Sequence, residues 1–250
     1  MKIIHKDILD STNTYAEQLV SDGKISKPTC VTAGYQSSGQ GRNAGRWESE
    51  AEKNLTFSIV CFPEFLSAGR QFYLNKVASL SVHQLIQQML PEQEIRIKWP
   101  NDIYIADKKV AGILIKVNIQ NNIIKHAVIG IGININQEKF PDDLPNPVSV
   151  IQHKKKSAGL DLVLNNYLAI FQRCFAMLEN NEYDKIDPGY LNALYRYKEQ
   201  SLFEIAGKKV YASITGVDEY GWLQLVCNDG KILSGDMNKV KMILSSKSKI

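Results

Sequence analysis

The chain has 250 residues, a length that predicts one large domain or a medium-sized domain with a small companion. With 44% hydrophobic and 22% charged residues it has the composition of a globular protein, and no apolar run approaches the roughly 20 residues that cross a bilayer. A formal net charge of +4 is too small to indicate a nucleic-acid-binding protein unless basic residues form a local stripe.

The first elements are indicated by local signals. The opening residues interrupt a short apolar run with charged side chains, unlike a signal peptide, so we expect a cytoplasmic protein. Ser11 or Thr12 caps a predicted helix that Gly23 ends. A β-like run at 30–35 follows, and the polar, glycine-rich segment 36–47 is predicted to be a mobile loop.

Apolar periodicity predicts the elements in the middle of the chain. We expect strands at 55–62, 94–99, 109–119 and 123–135, and helices at 71–90, 160–178 and 190–197. Beyond residue 199, short β-like runs alternate with turn residues, which predicts a small β-barrel. The expected organisation is therefore an α+β domain at 1–198 followed by a β-barrel domain at 199–250.

The four cysteines are scattered along the chain and form no CxxC pair. Each of Cys30, Cys61, Cys174 and Cys227 lacks a neighbour at metal-ligand spacing, so a zinc site or a disulfide framework is not expected. Free cysteine packs as a small apolar residue. These residues are predicted to be buried structural thiols.

A glycine-rich segment with two arginines is the first candidate for chemistry. It reads GQGR at 39–42 and GRW at 45–47. Glycines let backbone N–H groups approach an anion, and Arg42 and Arg46 can neutralise phosphate. The spacing matches neither the P-loop nor the dinucleotide-binding pattern. A plain surface turn is the alternative, because glycine-rich turns are common.

The second candidate is the sequence KWPND at 98–102, which ends a predicted strand. On the structural interpretation, Trp-Pro restricts the backbone and Asn101 with Asp102 forms a turn. On the functional interpretation, Lys98 supplies a cation and Asp102 a carboxylate able to bind Mg²⁺ beside substrate phosphates.

Two glycine-interrupted strands, KVAGILI at 109–115 and GIGININ at 130–136, form the third candidate. Glycine inside a strand often marks the close approach of another backbone or of a ligand. Lys109 is either a ligand for an anion or a solvated lysine at a strand edge. Asn134 and Asn136 alternate with isoleucines, so one face of the strand is polar, as in the wall of a pocket.

These segments, with Ser-Thr-Asn at 11–13, occur in this order over residues 10–136, and together they resemble the catalytic core of the biotin–protein ligases. The resemblance extends over nearly the whole chain. It implies a mixed β-sheet flanked by helices, of the class II synthetase-like fold shared with lipoate ligases, and a small SH3-like β-barrel at the C-terminus.

The resemblance also implies an activity. The family activates biotin with ATP and Mg²⁺ to biotinyl-5′-AMP, and then transfers biotin to one lysine of a biotin carboxyl carrier domain, as in acetyl-CoA carboxylase. Family members occur as monomers or homodimers. Because the nucleophiles are the biotin carboxylate and the acceptor lysine, no catalytic serine, cysteine or histidine of the protein is needed.

By similarity, the site residues fall into four overlapping sets. The catalytic residues are Lys109 and Arg42, and the tentative Mg²⁺ ligand is Asp102. The expected biotin contacts are Ser11, Thr12, Asn13, Gln36, Gly39, Gln40, Gly41, Arg42, Lys109 and Gly112. The expected ATP or adenylate contacts are Arg42, Arg46, Trp47, Lys98, Asn101, Lys109 and Asn134.

The sequence departs from the family pattern GRGRxGRxW in its loop. Gln40 stands where the pattern has its first arginine. Gly45-Arg46, the second glycine–arginine pair of this chain, comes one position later than in the pattern because Asn43-Ala44 precedes it. Arg46 is therefore a candidate to supply the charge that Gln40 lacks. Many family members have an acidic residue where this chain has Lys116.

Two rival functions are considered. A lipoate–protein ligase or octanoyltransferase shares the fold, but its RxSGGG loop and HxxD signature are absent here. Some biotin ligases are also DNA-binding repressors through a winged-helix module before the Ser-Thr-Asn segment. Only ten residues precede Ser11, so we expect a monofunctional ligase without nucleic-acid binding.

Overall fold

A computed structural model describes residues 1–42 and 45–244, and these fold into two β-sheets and five α-helices. The strands of the first sheet are β1 Lys2–Leu9, β2 Thr29–Gln36, β3 Leu55–Cys61, β4 Ile95–Lys98, β5 Asp102–Ile105, β6 Lys108–Gln120 and β7 Ile123–Ile133. The helices are α1 Thr12–Ser21, α2 Phe72–Met89, α3 Val150–Lys154, α4 Leu160–Glu179 and α5 Tyr183–Ala193. The second sheet contains β8 Gln200–Ile205, β9 Lys208–Val217, β10 Leu223–Cys227, β11 Ile232–Gly235 and β12 Val240–Ile243.

The first sheet is mixed, with the strand order β1-β2-β3-β7-β6-β5-β4. Its only parallel pair is β1 with β2, and α1 makes the crossover that a parallel pair requires. The remaining pairs are antiparallel, including the hairpin β6–β7, whose turn residues Asn121 and Asn122 both have positive φ. This is the α+β core that the sequence predicted.

The two faces of this sheet pack against different helices, because alternate residues of a strand point to opposite sides. Phe57 and Ile59 of β3 belong to the large core with α2, α4 and α5, whereas Val60 belongs to a smaller core with α1. Ser58 therefore faces α1. The α1 face is the thinly covered one, and a cavity opens there.

The second sheet is antiparallel, with the order β11-β10-β9-β8-β12. Its two edge strands, β11 and β12, are joined only by residues 236–239. So short a connection brings the two edges together at one end, and the sheet must curl as in a small barrel. The proposed domain boundary between residues 198 and 199 stays a prediction, and residues 245–250 of the second domain lie outside the described ranges.

Most of the predicted elements are confirmed, and the differences concern β1, β5, the unpredicted short helix α3 and the bounds of α5. The exposed, charge-rich β1 lacks the apolar alternation that identifies a strand. The four-residue β5 was not predicted, and it begins at Asp102, which the structural interpretation had placed in a turn with Asn101. The predicted helix bounds of 190–197 are wrong. Helix α5 begins at Tyr183 and contains Pro188, and it ends before Leu194, whose backbone is extended.

The prediction of buried thiols is confirmed for three of the four cysteines and is wrong for Cys227. All four cysteines are free; three are buried, and Cys227 is partly exposed. Burial raises the pKa of the Cys30 and Cys61 thiols to about 12, so neither is a reactive thiolate near neutrality. Within the described ranges, none of the helices combines the length and apolar character needed to cross a bilayer.

His83 on α2 gives the fold a pH dependence. Its Nε2 lies 3.1 Å from the carbonyl oxygen of Ile95, and burial is the main cause that lowers its pKa below the usual value of about 6.5. Just below that pH the unfolded chain binds more protons than the native chain, so stability falls as the pH falls. We expect His83→Gln to weaken this loss, measured by urea unfolding between about pH 7.5 and 5. His5→Gln, at an exposed position, is the control; parallel curves for the two variants would contradict the assignment.

Candidate active site

A cavity of about 260 Å³ opens on the α1 face of the first sheet, between α1, the glycine-rich loop and strands β6 and β7. It brings together residues that are distant in the sequence, from Ser11 to Gly132. The predicted site residues that line it are Ser11, Thr12, Asn13, Gln36, Gln40, Gly41, Arg42, Arg46, Trp47, Asn101, Asp102, Lys109 and Gly112.

One end of the cavity is polar and uncharged, and it forms where α1 begins. Ser11 is the N-cap of the helix, and Thr12 N donates a 2.7 Å hydrogen bond to Gln36 Oε1. Asn13 Nδ2 donates to the carbonyl oxygen of Leu114 at 3.2 Å. The helix start is thus fixed to β2 and β6, and its buried side chains offer donors and acceptors without net charge.

Ser58 completes this polar end and was missed by the sequence analysis. Its hydroxyl lies 2.6 Å from Asn13 Oδ1 and 2.8 Å from Thr12 Oγ1. A hydroxyl has one proton, so Ser58 donates to the amide oxygen and accepts from the Thr12 hydroxyl. The signal was present in the sequence as a single serine inside the apolar strand β3.

Gly130 of β7 provides the room that Asn13 needs. A methyl group at this position would overlap the Asn13 side chain. If biotin is the ligand, as the sequence resemblance implies, we expect Gly130→Ala to weaken its binding by about tenfold or more, because the amide must move and lose its fixed hydrogen bonds. Isothermal titration with biotin measures this. Gly216→Ala, in a strand where a methyl group makes ordinary contact, is the matched control, and equal affinities for the two variants would contradict the role.

The Trp47 side chain packs against two glycines that are paired in neighbouring strands. Gly112 of β6 is opposite Gly132 of β7, and a methyl group at 132 would overlap the indole ring. The indole Nε1 is buried and has no hydrogen-bond partner among the described residues. The glycines in these strands therefore allow the close approach of side chains. The sequence analysis had considered another backbone or a ligand as the cause.

The other end of the cavity is charged. Lys109 Nζ lies 2.6 Å from Asp102 Oδ1, where β5 and β6 run side by side. Arg42 Nη1 donates to Asn101 Oδ1 at 3.4 Å, and Asn101 Nδ2 donates to the Ile113 carbonyl oxygen at 2.6 Å. Burial lowers the pKa of Arg42, against the opposing effect of Asp102, but a guanidinium group stays charged.

The loop that carries Arg42 closes on itself through backbone bonds. Gly41 N donates to Gly45 O at 2.7 Å, Gly45 N to Arg42 O at 2.8 Å, and Trp47 N to Gly39 O at 2.9 Å. Residues 43 and 44, which displace the second glycine–arginine pair, lie outside the described residues. Gln40 Nε2 contacts Thr14 Oγ1 at 3.3 Å, while Arg46 pairs with Glu48 at 3.7 Å on the surface.

Three predicted site residues lie beside the main cavity. Gly39 borders two shallower grooves on the outer side of the loop. Asn134 lines an adjoining cavity of about 170 Å³ together with Trp47 and Lys109, and its buried Oδ1 has no partner among the described residues. Lys98 packs over the Tyr104 ring, and burial lowers its pKa.

Two further polar residues have structural contacts. Asn136 was expected to share a pocket wall with Asn134, but its amide makes two hydrogen bonds to the backbone of Ala158, at 2.8 and 2.9 Å. Lys116 forms a 3.0 Å ion pair with Glu17, which connects β6 to α1. Both partners are partly exposed, so this pair contributes little to stability.

The site has few candidate metal ligands. Over residues 1–42 and 45–244, no group of three or more His, Cys, Asp or Glu side chains is placed to hold a metal ion. Asp102 is the carboxylate among the described residues that line the main cavity.

Comparison with known proteins agrees with this geometry. The model of the biotin/lipoate A/B protein ligase family matches residues 6–134. The chain belongs to this family. The match contains the second half of β1 and all of β2 to β7, and thus the residues that line the cavity. Family membership confirms the resemblance that the sequence motifs indicated.

Two relatives and one solved structure extend the comparison. The bifunctional ligase/repressor BirA of Bacillus subtilis is 28% identical over 94% of this chain and 73% of its own length. The biotin–[acetyl-CoA-carboxylase] ligase of Paracoccus denitrificans is 27% identical over 86% of this chain and 90% of its own length. The biotin protein ligase of Aquifex aeolicus, solved in complex with biotin and ATP, has a TM-score of 0.81, 23% identity, and coverage of 98% and 99%. The structural match shows that the fold, including the second sheet, is shared.

Proposed function

We propose that this chain is an ATP-dependent biotin–protein ligase, which makes biotinyl-5′-AMP and transfers biotin to a specific lysine of a carrier domain. The observation that carries the proposal is the division of one cavity into an uncharged hydrogen-bonding end and a cationic end. Biotin has the matching chemistry, since a neutral ureido ring lies at one end of the molecule and a carboxylate at the other. The names of the relatives support the same activity.

The uncharged end is the proposed site of the ureido ring. Ser11, Thr12 and Asn13, together with Gln36, present hydroxyl and amide groups that are buried or nearly so. A ring with N–H donors and a carbonyl acceptor needs such partners once it leaves water. Gly112 and the backbone from Gly39 to Arg42 are proposed to form the rest of the biotin slot.

The cationic end is the proposed site of activation. A carboxylate oxygen of biotin bonds to the α-phosphorus of ATP, the bond from that phosphorus to pyrophosphate breaks, and biotinyl-5′-AMP forms. Two anions must approach each other, so fixed cations supply much of the acceleration. Lys109 is proposed to contact the carboxylate and α-phosphate, and Arg42 to hold the phosphates from the loop.

The remaining nucleotide contacts follow from the adjoining cavity. Trp47 and Asn134 line it together, so the adenine ring is proposed to lie there, against the indole and beside the unpartnered Asn134 Oδ1. Arg46, Lys98 and Asn101 are proposed to contribute charge or hydrogen bonds to the phosphates. The loop 36–47 is proposed to close over the ligand, as glycine-rich lids do.

Among the described residues, the cavity offers one carboxylate, Asp102, as a ligand for Mg²⁺. A single carboxylate, Asp102, beside a cationic phosphate site suits Mg²⁺, which keeps several waters and binds through one or two carboxylates plus substrate phosphates. We propose that Asp102 holds the ion directly or through water. When bound, the ion would neutralise part of the phosphate charge.

The second step requires no nucleophile from the protein. The acceptor amine bonds to the carbonyl carbon of the adenylate, the bond from that carbon to AMP breaks, and a proton leaves the nitrogen. The proposed acceptor is a biotin carboxyl carrier domain of acetyl-CoA carboxylase or a related enzyme. The proposed location is the cytoplasm, where free cysteines are usual.

The test is transfer of labelled biotin to a purified carrier domain, with ATP and Mg²⁺ each omitted in turn. We expect transfer only with both. Lipoate replaces biotin in a parallel reaction, because the family also includes lipoate ligases. An adenylate formed from lipoate but not from biotin would refute the proposal.

A further inference from the structure

One of the contacts between the second sheet and the α+β core is made by a turn. Residues 218–222 connect β9 to β10, and the Asp218 carboxylate accepts hydrogen bonds from Tyr220 N at 3.1 Å and from Trp222 N at 2.8 Å. Gly221 N donates to Asp218 O at 3.1 Å. Hydrogen bonds to Asp218 thus fix the conformation of the turn, and Gly221 is the residue of the turn that contacts the α+β core.

The contact surface of this turn is the KWPND segment. Trp99 Nε1 donates a 3.0 Å hydrogen bond to the Gly221 carbonyl oxygen, and both residues are buried. Gly221 has a φ of 85°, and a methyl group there would overlap the Phe72 ring at the start of α2. The turn is therefore fitted between Trp99 and Phe72 with no space for a side chain.

Trp99 stands two residues before Asn101 and three before Asp102. Asn101 exchanges two hydrogen bonds with Ile113 of β6, at 2.6 and 2.9 Å, and also accepts from Arg42. Asp102 pairs with Lys109 at 2.6 Å. Both proposed catalytic cations are thus held by the segment that Trp99 anchors.

We infer that the turn 218–222 of the second sheet positions Asn101 and Asp102 for the activation step, with Trp99 and Gly221 as positioning residues. The inference rests on the proposed function for its reaction. It assigns to the second sheet a part in the geometry of the cationic end. The polar end is built from α1, β2, β3 and β6.

Three full-chain variants test the inference. Gly221→Ala displaces the turn from Phe72, whereas Gly207→Ala, the matched control, places the same methyl group at a φ of 78° in open space. Gly221→Ala and Gly207→Ala both place alanine at a positive φ and have a similar cost in backbone strain, so only the displacement of the turn differs. Trp99→Phe keeps an aromatic ring and removes the N–H donor.

Two measurements are made on each variant, biotin-dependent ATP–pyrophosphate exchange and hydrogen exchange of the Ile113 amide. We expect Gly221→Ala to lower the maximal exchange rate by about tenfold or more, because small displacements at a reacting site have such effects. Trp99→Phe should act in the same direction. The KM for biotin should stay within about twofold, and the Ile113 amide, which bonds to Asn101 O, should exchange faster in both.

Rates and amide protection equal to those of Gly207→Ala would overturn the inference, as would a KM for biotin that changes as much as the maximal rate. If Gly221→Ala does not fold, Trp99→Phe decides. A wild-type chain without biotin-dependent exchange would refute the proposed function instead, and the Ile113 amide would still report whether the turn orders the segment.

Discussion

Replacing Lys109 with alanine is expected to lower biotin-dependent ATP–pyrophosphate exchange by at least about 100-fold, the usual size for losing one group that meets transition-state charge. The Nζ atom lies at the cationic end of the cavity, 2.6 Å from Asp102. In the proposed reaction, its removal takes away one of the two cations that offset the charge of the approaching anions. It also leaves Asp102 as an unpaired negative charge that repels phosphate.

The fold is expected to survive this change. The Lys109 side chain is 34% exposed, and its backbone bonds to Asn146 and Val148 do not depend on the side chain. Lys108→Ala, at the neighbouring exposed position, is the control and should keep its exchange rate. Lys109→Arg keeps the charge but replaces a compact ammonium by a planar group, so it should restore only part of the rate. Exchange by Lys109→Ala at the rate of the control would refute the catalytic role.

The elements that the sequence predicted well are those with a strong apolar period. Helices α2 and α4 and the hairpin β6–β7 agree closely with their predicted bounds, since packing against one core dictates their pattern. Strand β1 carries no such pattern, because it is an edge strand with most side chains in solvent. Helix α5 contains a proline, and its burial on α2 offsets the lost hydrogen bond, so its start could not be read from local propensity.

The sequence motifs predicted which segments contribute to the candidate site, but not which of their residues contact each other in the cavity. Gly112, Gly130 and Gly132 were recognised as positions of close approach, yet their partners lie far away in sequence at Asn13 and Trp47. Only the register of β6 with β7 puts Gly112 opposite Gly132 on the α1 face. Ser58 shares this face through β3, and a single serine in an apolar strand carries no information about its neighbours until the sheet is assembled.

The division of the cavity has a consequence for the intermediate. Biotinyl-5′-AMP is a reactive mixed anhydride, and its phosphate is proposed to lie under the loop that carries Arg42. Arg42 Nη1 donates a 3.4 Å hydrogen bond to Asn101 Oδ1, so this side chain joins the loop to the KWPND segment at the cationic end. A chain without this side chain should still bind biotin, because the uncharged end is separate, but it should hold the adenylate poorly.

Arg42→Gly is therefore expected to release biotinyl-5′-AMP about 10- to 100-fold faster, as the loss of charge-assisted hydrogen bonds worth about 1.5–3 kcal/mol implies. The released anhydride should label lysines of a bystander protein that the wild-type chain leaves unmodified. Arg42→Ala should behave alike, which separates the lost side chain from the added backbone freedom of glycine. Ser38→Gly adds that freedom at an exposed position of the same loop and should retain the adenylate. Rapid filtration with labelled biotin measures release, and mass spectrometry of the bystander measures labelling. Retention by Arg42→Gly equal to that of Ser38→Gly would mean that the adenylate is held by the backbone of the loop and by Lys109, without the guanidinium group.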